Sequence, residues 1–358
     1  MPAMEELMRA FRDRADHVKP SGAPLVGTFG DGLPEALIRA TGARAVEVKA
    51  PPLADAATGP QVAAVSRVAE GFLDDFTARF LHRFAAGAFD HYAMIVFARD
   101  DVAGLTAYQY ATELRRLGHA PPNGPRLHLW NLLHGQSEAI ARFNATEAER
   151  LDAALAEAAG AALSPDALTE ALTREEARAQ ALARLDGHPD LFALRNAGRW
   201  LEAETHAALL DTVETVEEPQ TGLRIGLIGT ACDLPLMHDL ARHFGHVTAD
   251  LTPYGDPWPG QHLGQAESLL RDVAKAPLHI RANPPRRYGE ALRTGLADCD
   301  LVIASPDRND DSFGWDLPTL ARDLADQGTR FARLPLRPFR PDAAWIDTAH
   351  SRIEEALA

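Results

Sequence analysis

The chain has 358 residues, of which 46% are hydrophobic and 24% charged, and its formal net charge is −15. That length exceeds most single hydrophobic cores and points to two domains plus a smaller element, while the negative charge argues against nucleic acid or an anionic membrane as partner. No run approaches about 18 consecutive apolar residues, and Cys232 and Cys299 are too few for a disulfide framework or an all-cysteine zinc or iron–sulfur site, so a cytoplasmic protein with two reduced thiols and no signal peptide is expected.

Apolar positions Met4, Leu7, Met8 and Phe11 predict a leading helix over Met1–His17, broken at Pro20–Pro24. The apolar run Pro24–Val26 then enters Gly27-Thr28-Phe29-Gly30-Asp31-Gly32-Leu33-Pro34-Glu35, read as a turn. A helix follows (Ala36, Leu37, Ala40), Gly42 stops it, and Ala45–Val48 is the next strand. Gln61–Phe84 reads as one long amphipathic helix whose stripe (Val65, Val68, Phe72, Phe76, Phe80, Phe84) belongs in the core. Tyr92–Phe97 has the pattern of a buried parallel strand and ends at Arg99-Asp100-Asp101. A helix over Thr106–Leu117, a turn at Pro121–Pro125 and a strand over Arg126–Leu132 complete a doubly wound parallel sheet, so residues 1–143 are the first α/β domain.

Composition shifts at Asn144. Residues 144–220 read as a helical segment, with helix starts at Ser164-Pro165-Asp166 and, by capping-box spacing, at Thr173–Glu176. Val216–Gly222 reads as a linker into a second α/β domain, residues 221–358. That domain opens with strand Arg224–Ile228, the turn Gly229–Pro235, helix Leu236–Phe244 and strand His246–Thr248. Fifteen residues separate Gly27 from Gly42 and 16 separate Gly229 from Gly245, an internal repeat of one strand–turn–helix unit. A loop (Pro253–Gly260), a helix (Leu263–Ala274), a basic stretch (Arg281–Arg287) and a helix (Tyr288–Leu296) follow. Strand Leu301–Ala304, loop Ser305–Asp311, helix Leu317–Gln327, strand Phe331–Leu336 and helix Ala343–Leu357 end the chain.

Chemistry is expected where strands end and these Gly-Thr turns begin. A glycine turn before a helix offers backbone N–H groups, yet the G-x-x-G-x-G spacing of Gly27, Gly30 and Gly32 is not a dinucleotide fingerprint. Asp31 and Asp233 would repel a bare phosphate. The acidic strand ends Asp100-Asp101 and Asp310-Asp311 suit a divalent metal, acid–base work or plain helix capping. His238 and His243 point about 140° apart on a helix, so His238, His243 and His246 are no metal cluster. No zincin, nucleophile-elbow or Walker A motif occurs.

In pattern and order over most of its length the chain resembles the 2-hydroxyacyl-CoA dehydratase and benzoyl-CoA reductase subunit family. Gly27–Val48 is similar to that family's opening signature, and Phe89–Val96 with Asp100-Asp101 to its strand ending in Cys-Asp. Leu191–Leu210 is similar to its middle helical segment and Ala297–Pro318 to its closing element. The resemblance implies three cysteines for a [4Fe–4S] centre and radical chemistry on an acyl-CoA thioester. Here the second and third slots fall at or near Asp100 and Asp310, the first lies within Val65–Glu70, and none is cysteine. Soft thiolates replaced by hard carboxylates favour Mg²⁺, Mn²⁺ or nothing, so no cofactor is expected in this chain.

The expected fold is therefore two doubly wound parallel-sheet domains joined by a helical segment. Asp31, Asp100 and Asp310 are the catalytic candidates. Gly27, Thr28, Gly30, Glu35, Asp101, Gly229, Thr230, Asp233 and Asp311 are the substrate-binding candidates. The first functional expectation is a family subunit without its own cluster that binds an acyl-CoA-like ligand or supports a homologous subunit, as a homo- or heterodimer. The alternatives are a redox-neutral enzyme using the strand-end aspartates and a non-enzymatic interaction or regulatory protein.

Overall fold

The apolar runs of the chain assemble into two four-stranded, all-parallel sheets flanked by helices, as seen in a computed structural model. It describes residues 2–20, 22–30, 32–99, 101–134, 137–216, 221–256, 285–310 and 312–358. Met1–Arg184 and Leu194–Val213 belong to one compact unit, and Leu185–Ala193 and the described residues from Glu214 onward to the other. No helix among the described residues is long and apolar enough to cross a membrane.

In the first unit, helix α1 (Pro2–Asp13) and a 3-10 turn (Arg14–His17) precede β1 (Leu25–Phe29), α2 (Glu35–Ala40) and β2 (Arg44–Glu47). Three further helices, α3 (Asp55–Thr58), α4 (Ala63–Val68) and α5 (Asp75–Ala85), lead to β3 (Met94–Ala98). Then come α6 (Val102–Arg116) and β4 (Arg126–Trp130), followed by α7 (Glu138–Ala159) and α8 (Pro165–Ala183). The chain enters the second unit at Leu185, returns to the first at Leu194 inside α9 (Leu191–Ala197), and stays there through α10 (Ala203–Leu210). The second unit continues with β5 (Leu223–Gly229), α11 (Leu236–Ala241), β6 (Gly245–Asp250) and α12 (Pro285–Gly295). It closes with β7 (Leu301–Ser305), α13 (Phe313–Ala325), β8 (Arg330–Arg333) and α14 (Ala343–Leu357).

Both sheets have the same topology, β2-β1-β3-β4 and β6-β5-β7-β8. The chain leaves its first strand to one side and returns on the other, so the carboxyl ends of β1/β3 and of β5/β7 are topological switch points. One face of the first sheet packs Val26, Met94, Val96 and Trp130 against α2, α7 and α8, which supply Leu37, Leu151, Leu155 and Leu168. The opposite face packs Phe29 and Phe97 on Phe80 of α5, with ring centroids 4.9 and 5.6 Å apart. Ile225, Leu227 and Ile303 of the second sheet pack on Met237 and Leu240 of α11 and Trp345, Ala349 and Ile353 of α14.

Four expectations are corrected. Gly27-Thr28 is not a turn: both lie inside β1, where a Cβ on Gly27 would stand 3.0 Å from Ile95 Cγ1 and 3.2 Å from Val48 Cγ1. That glycine serves close packing, and the repeat aligns Gly27-x-x-Gly30 with Gly226-x-x-Gly229 rather than Gly27 with Gly229. Gln61–Phe84 is two helices, because Asp74 restarts the chain as the N-cap of α5 (Thr77 N–H to Asp74 Oδ1, 2.9 Å). Phe72 then falls between them, 67% exposed and outside the core. Thr173 starts no helix. It lies within α8, its hydroxyl donating back to Thr169 O at 2.9 Å, and the Ser164 cap alone begins that helix. The last strand starts and ends earlier than expected, at Arg330–Arg333. The expected helix Leu263–Ala274 and most of the basic stretch lie outside the described residues.

Gly42 and Gly229 separate two costs. Gly42 has φ +79° with open space around a Cβ, whereas a Cβ on Gly229 would stand 2.4 Å from the backbone oxygen of Ser305. Gly42→Ala should cost about 1 kcal/mol of unfolding free energy through left-handed strain alone. Gly229→Ala should cost roughly 3 kcal/mol or more, because β5 and β7 must separate; urea denaturation measures both.

Candidate functional site

The carboxyl end of the first sheet is organised around Gly30 (φ +105°), where a Cβ would stand 3.0 Å from the Cβ atoms of Ala98 and Asp101. The missing side chain lets Asp101 lie over the strand end. Asp101 accepts Ala103 N–H at 3.0 Å as the N-cap of α6, and its other oxygen pairs with the Lys49 ammonium. Lys49 is buried, 5.3 Å from the Phe76 ring centroid. Glu47, beside Thr28 in register, is buried too, and its carboxylate accepts Ala50 N–H at 3.0 and 3.2 Å. Thr28, Gly30 and Asp101 thus meet at the β1/β3 switch point. Asp31 and Asp100 lie outside the described residues.

Glu35 has other partners. It pairs with Arg39 at 2.8 Å, Arg39 pairs with Glu175 of α8, and Glu175 pairs with Arg178. Burial pushes the Glu35 carboxyl up, but the Arg39, Arg178 and Arg199 guanidiniums outweigh it and bring it below the usual range. Beside this cluster stands His206, fully buried, its Nε2 N–H donating to Leu194 O at 2.8 Å. Burial, with the Arg178 charge, lowers its pKa to about 4.

In the second unit the strand ends are tied by Arg337, which is 2% exposed. Its guanidinium donates to Ser305 Oγ at 2.8 Å and Ala231 O at 2.5 Å, spanning the ends of β5 and β7. Thr230 Oγ1 accepts Asp307 N–H at 2.8 Å, and Asp307 stands 3.8 Å from Arg337. Arg340 forks onto both oxygens of buried Asp233, at 2.7 and 2.9 Å, and lies over the Phe339 ring. Gly229, Thr230 and Asp233 therefore gather at the β5/β7 switch point. Asp310 is occupied locally: its Oδ1 accepts Ser312 N–H at 2.7 Å and Phe313 N–H at 3.0 Å at the start of α13. Asp311 lies outside the described residues.

Sequence reasoning missed Lys49, Glu47, Arg337, Arg340 and the pair His238–Asp250. In that pair His238 Nε2 is 2.8 Å from Asp250 Oδ2, while Asp250 Oδ1 accepts Thr252 N–H at 3.0 Å and its hydroxyl at 2.6 Å. One signal was available. Glu47 and Asp250 are acidic residues at the ends of the second strands of the repeat, a position where an unpaired carboxylate is rarely buried.

The two cysteines do not fit a shared cluster. Cys232 follows the carboxyl end of β5, with Leu234 O 3.7 Å from its sulfur. Cys299 precedes the amino end of β7, 3.6 Å from Thr248 Oγ1. Parallel β5 and β7 put them at opposite ends of one sheet, roughly 17 Å apart for five residues of strand. Burial pushes both thiols up. Among the described residues no group of three or more His, Cys, Asp or Glu could hold a metal ion. A depression of about 310 Å³ beside Pro24, Leu25 and Tyr92 lies at the amino ends of β1 and β3, away from both switch points.

Three buried polar atoms of β1 and β4, Thr28 Oγ1, His128 Nε2 and Trp130 Nε1, have no hydrogen-bond partner among the described residues. Left so, each costs about 1–3 kcal/mol.

Buried, high-pKa thiols react slowly. Thiol titration of native protein with Ellman's reagent should therefore release little colour within minutes, and both thiols should appear in guanidinium. Folding holds His206 neutral, so unfolding takes up a proton below the ordinary pKa of about 6.5. Its contribution is full above that pH and declines as pH falls toward about 4. Between pH 7.5 and 5 the loss is about 2 kcal/mol, and His206→Asn should shrink the fall in unfolding free energy over that range by this amount. The chain matches no protein-family model and no curated protein.

Proposed function

We propose that this chain binds an acyl-CoA-like ligand as a cluster-free relative of the 2-hydroxyacyl-CoA dehydratase and benzoyl-CoA reductase subunits, alone or beside a homologous subunit. The observation that carries the reading is the duplicated switch point: two parallel sheets of one strand order, each with Gly-x-x-Gly closing its first strand. Ion pairs stand at both, Lys49–Asp101 in the first unit and Arg340–Asp233 in the second. These supply fixed charges and donors for a polar thioester ligand. The thiols sit at opposite sheet ends, so no reductive step through an iron–sulfur centre is assigned to the chain.

A second reading, a redox-neutral acid–base enzyme, draws on the His238–Asp250 pair rather than on Asp310. Asp250 is held by Thr252 and orients the imidazole, the arrangement a general base needs. Under that reading His238→Gln binds ligand and loses turnover; unchanged turnover in this variant rejects it.

Anaerobically purified chain should carry no stoichiometric iron or sulfide. A CoA thioester at about a hundredfold its Kd should stabilise the fold by roughly 2.7 kcal/mol, read as a rise in Tm. A stoichiometric [4Fe–4S] centre would overturn the proposal. So would the lack of any shift across a panel of CoA thioesters, an outcome that favours a non-enzymatic interaction protein.

A further inference from the structure

Two imidazoles meet in the second unit, away from its switch point. His243 lies in the turn between α11 and β6, and His350 lies in the middle of α14. Their ring centroids are 4.7 Å apart and their planes stand at 88°. A strand–helix–strand unit with parallel strands returns its helix to the amino ends of the strands. His243, two residues before β6 begins, is therefore at the sheet end opposite Thr230 and Arg337.

The hydrogen bonds leave ring nitrogens for a ligand. His243 Nδ1 is 3.0 Å from the carbonyl oxygen of Asp239, one helical turn back. A carbonyl only accepts, so Nδ1 carries the proton and, in the neutral ring, Nε2 keeps its lone pair. Histidines that bind metal ions are held in this way, the second ring nitrogen donating to a carbonyl or carboxylate. A histidine at a helix end also makes this bond simply as a cap. Capping accounts for His243 alone and not for a second imidazole in contact with it. No hydrogen bond holds the His350 ring among the described residues, so turning it to present a nitrogen breaks none. His243 is exposed and His350 half-buried, and an ion can reach both from solvent.

The spacing fits one shared ion. A zinc–nitrogen bond of about 2.0–2.1 Å puts each imidazole centre roughly 3.2 Å from the ion, and two such rings at roughly 90–109° about it are about 4.5–5.2 Å apart. The observed 4.7 Å lies inside that interval. Imidazole suits zinc and copper, whereas magnesium and calcium take oxygen ligands. Carboxylates lie close along both helices: Asp347 and Glu354 one turn either side of His350, and Asp239 one turn before His243. They favour a cation without ligating it, since no group of three such side chains is assembled among the described residues. Arg242, next to His243 in the chain, is paired with Asp239 at 3.2 Å and donates to Pro189 O.

We propose that His243 and His350 form a two-imidazole site for a borderline divalent ion, Zn²⁺ or Cu²⁺, which ties α14 to the end of α11. Water completes the coordination, so the ion is exchangeable. α14 packs Trp345, Ala349 and Ile353 on the second sheet, and an ion joining it to α11 braces that face of the unit. The site is separate from both switch points and does not depend on the acyl-ligand reading.

The test is isothermal titration of the full chain, stripped with EDTA, with Zn²⁺, Cu²⁺ and Mg²⁺. It compares wild type with His243→Asn, His350→Asn and, as a neighbouring control, His246→Asn. Wild type and His246→Asn should bind Zn²⁺ and Cu²⁺ alike, His243→Asn and His350→Asn about tenfold or more weakly, and Mg²⁺ should bind to none. Saturating Zn²⁺ should raise the Tm of wild type and leave those of His243→Asn and His350→Asn unmoved, each compared with its own metal-free Tm. Electron paramagnetic resonance of wild type with one equivalent of Cu²⁺ should show two imidazole nitrogens on the ion, a readout that holds even where a variant does not fold. Equal affinity in wild type, His243→Asn and His350→Asn overturns the proposal. So does a loss confined to one of those two variants, or a copper spectrum with a single imidazole nitrogen.

Discussion

Both sheets depend on the close approach of their first and third strands at a glycine. At Gly229 the neighbouring chain is so near that a Cβ would meet the Ser305 carbonyl, and at Gly30 it would meet Ala98 and Asp101. This approach brings the residues after each strand into reach of one another. In the first unit it seats Asp101 against Lys49; in the second it lets Arg337 span from Ser305 to Ala231. Each switch point is therefore built from backbone geometry first and charge second.

The two units use the same scaffold differently. The second closes its strand ends with arginines, Arg337 and Arg340, whose hydrogen bonds are largely satisfied by Ser305, Ala231 and Asp233. The first leaves Thr28, His128 and Trp130 short of a partner on a face that is otherwise core. A low-dielectric interior makes unsatisfied donors expensive. At the described strand ends the acidic groups cap helices or pair with cations, as Asp310 and Asp101 do.

Much of the architecture was legible in the chain. Continuous apolar runs such as Met94–Ala98 and Leu301–Ser305 announce buried parallel strands, and Ser164-Pro165 announces the start of α8 through its cap. Local signals failed where two were in competition. The phenylalanine stripe of residues 61–84 has helical spacing, but Asp74 caps a new helix and Phe72 is left exposed. Gly27 looks like a turn residue because glycine is common in turns, yet it lies within β1 and packs closely under Ile95 and Val48. The site was less legible. Thr28 was named for its place in a supposed turn, whereas it lies inside β1, in register with Val96, which in turn is in register with His128.

By itself the sequence determined where most strands and helices lie, that the strand–turn–helix unit occurs twice, and that the chain carries two cysteines. These follow from periodicity, caps and composition, which act over a few residues or over the whole count. Only the tertiary structure decided which side chains meet. Lys49 finds Asp101, Arg39 finds Glu175, His238 finds Asp250 and Arg340 finds Asp233 across 52, 136, 12 and 107 residues of chain. Strand order and register set those meetings, because a parallel sheet places its ligand-facing ends by pairing between distant strands, and that pairing is not written in any one segment.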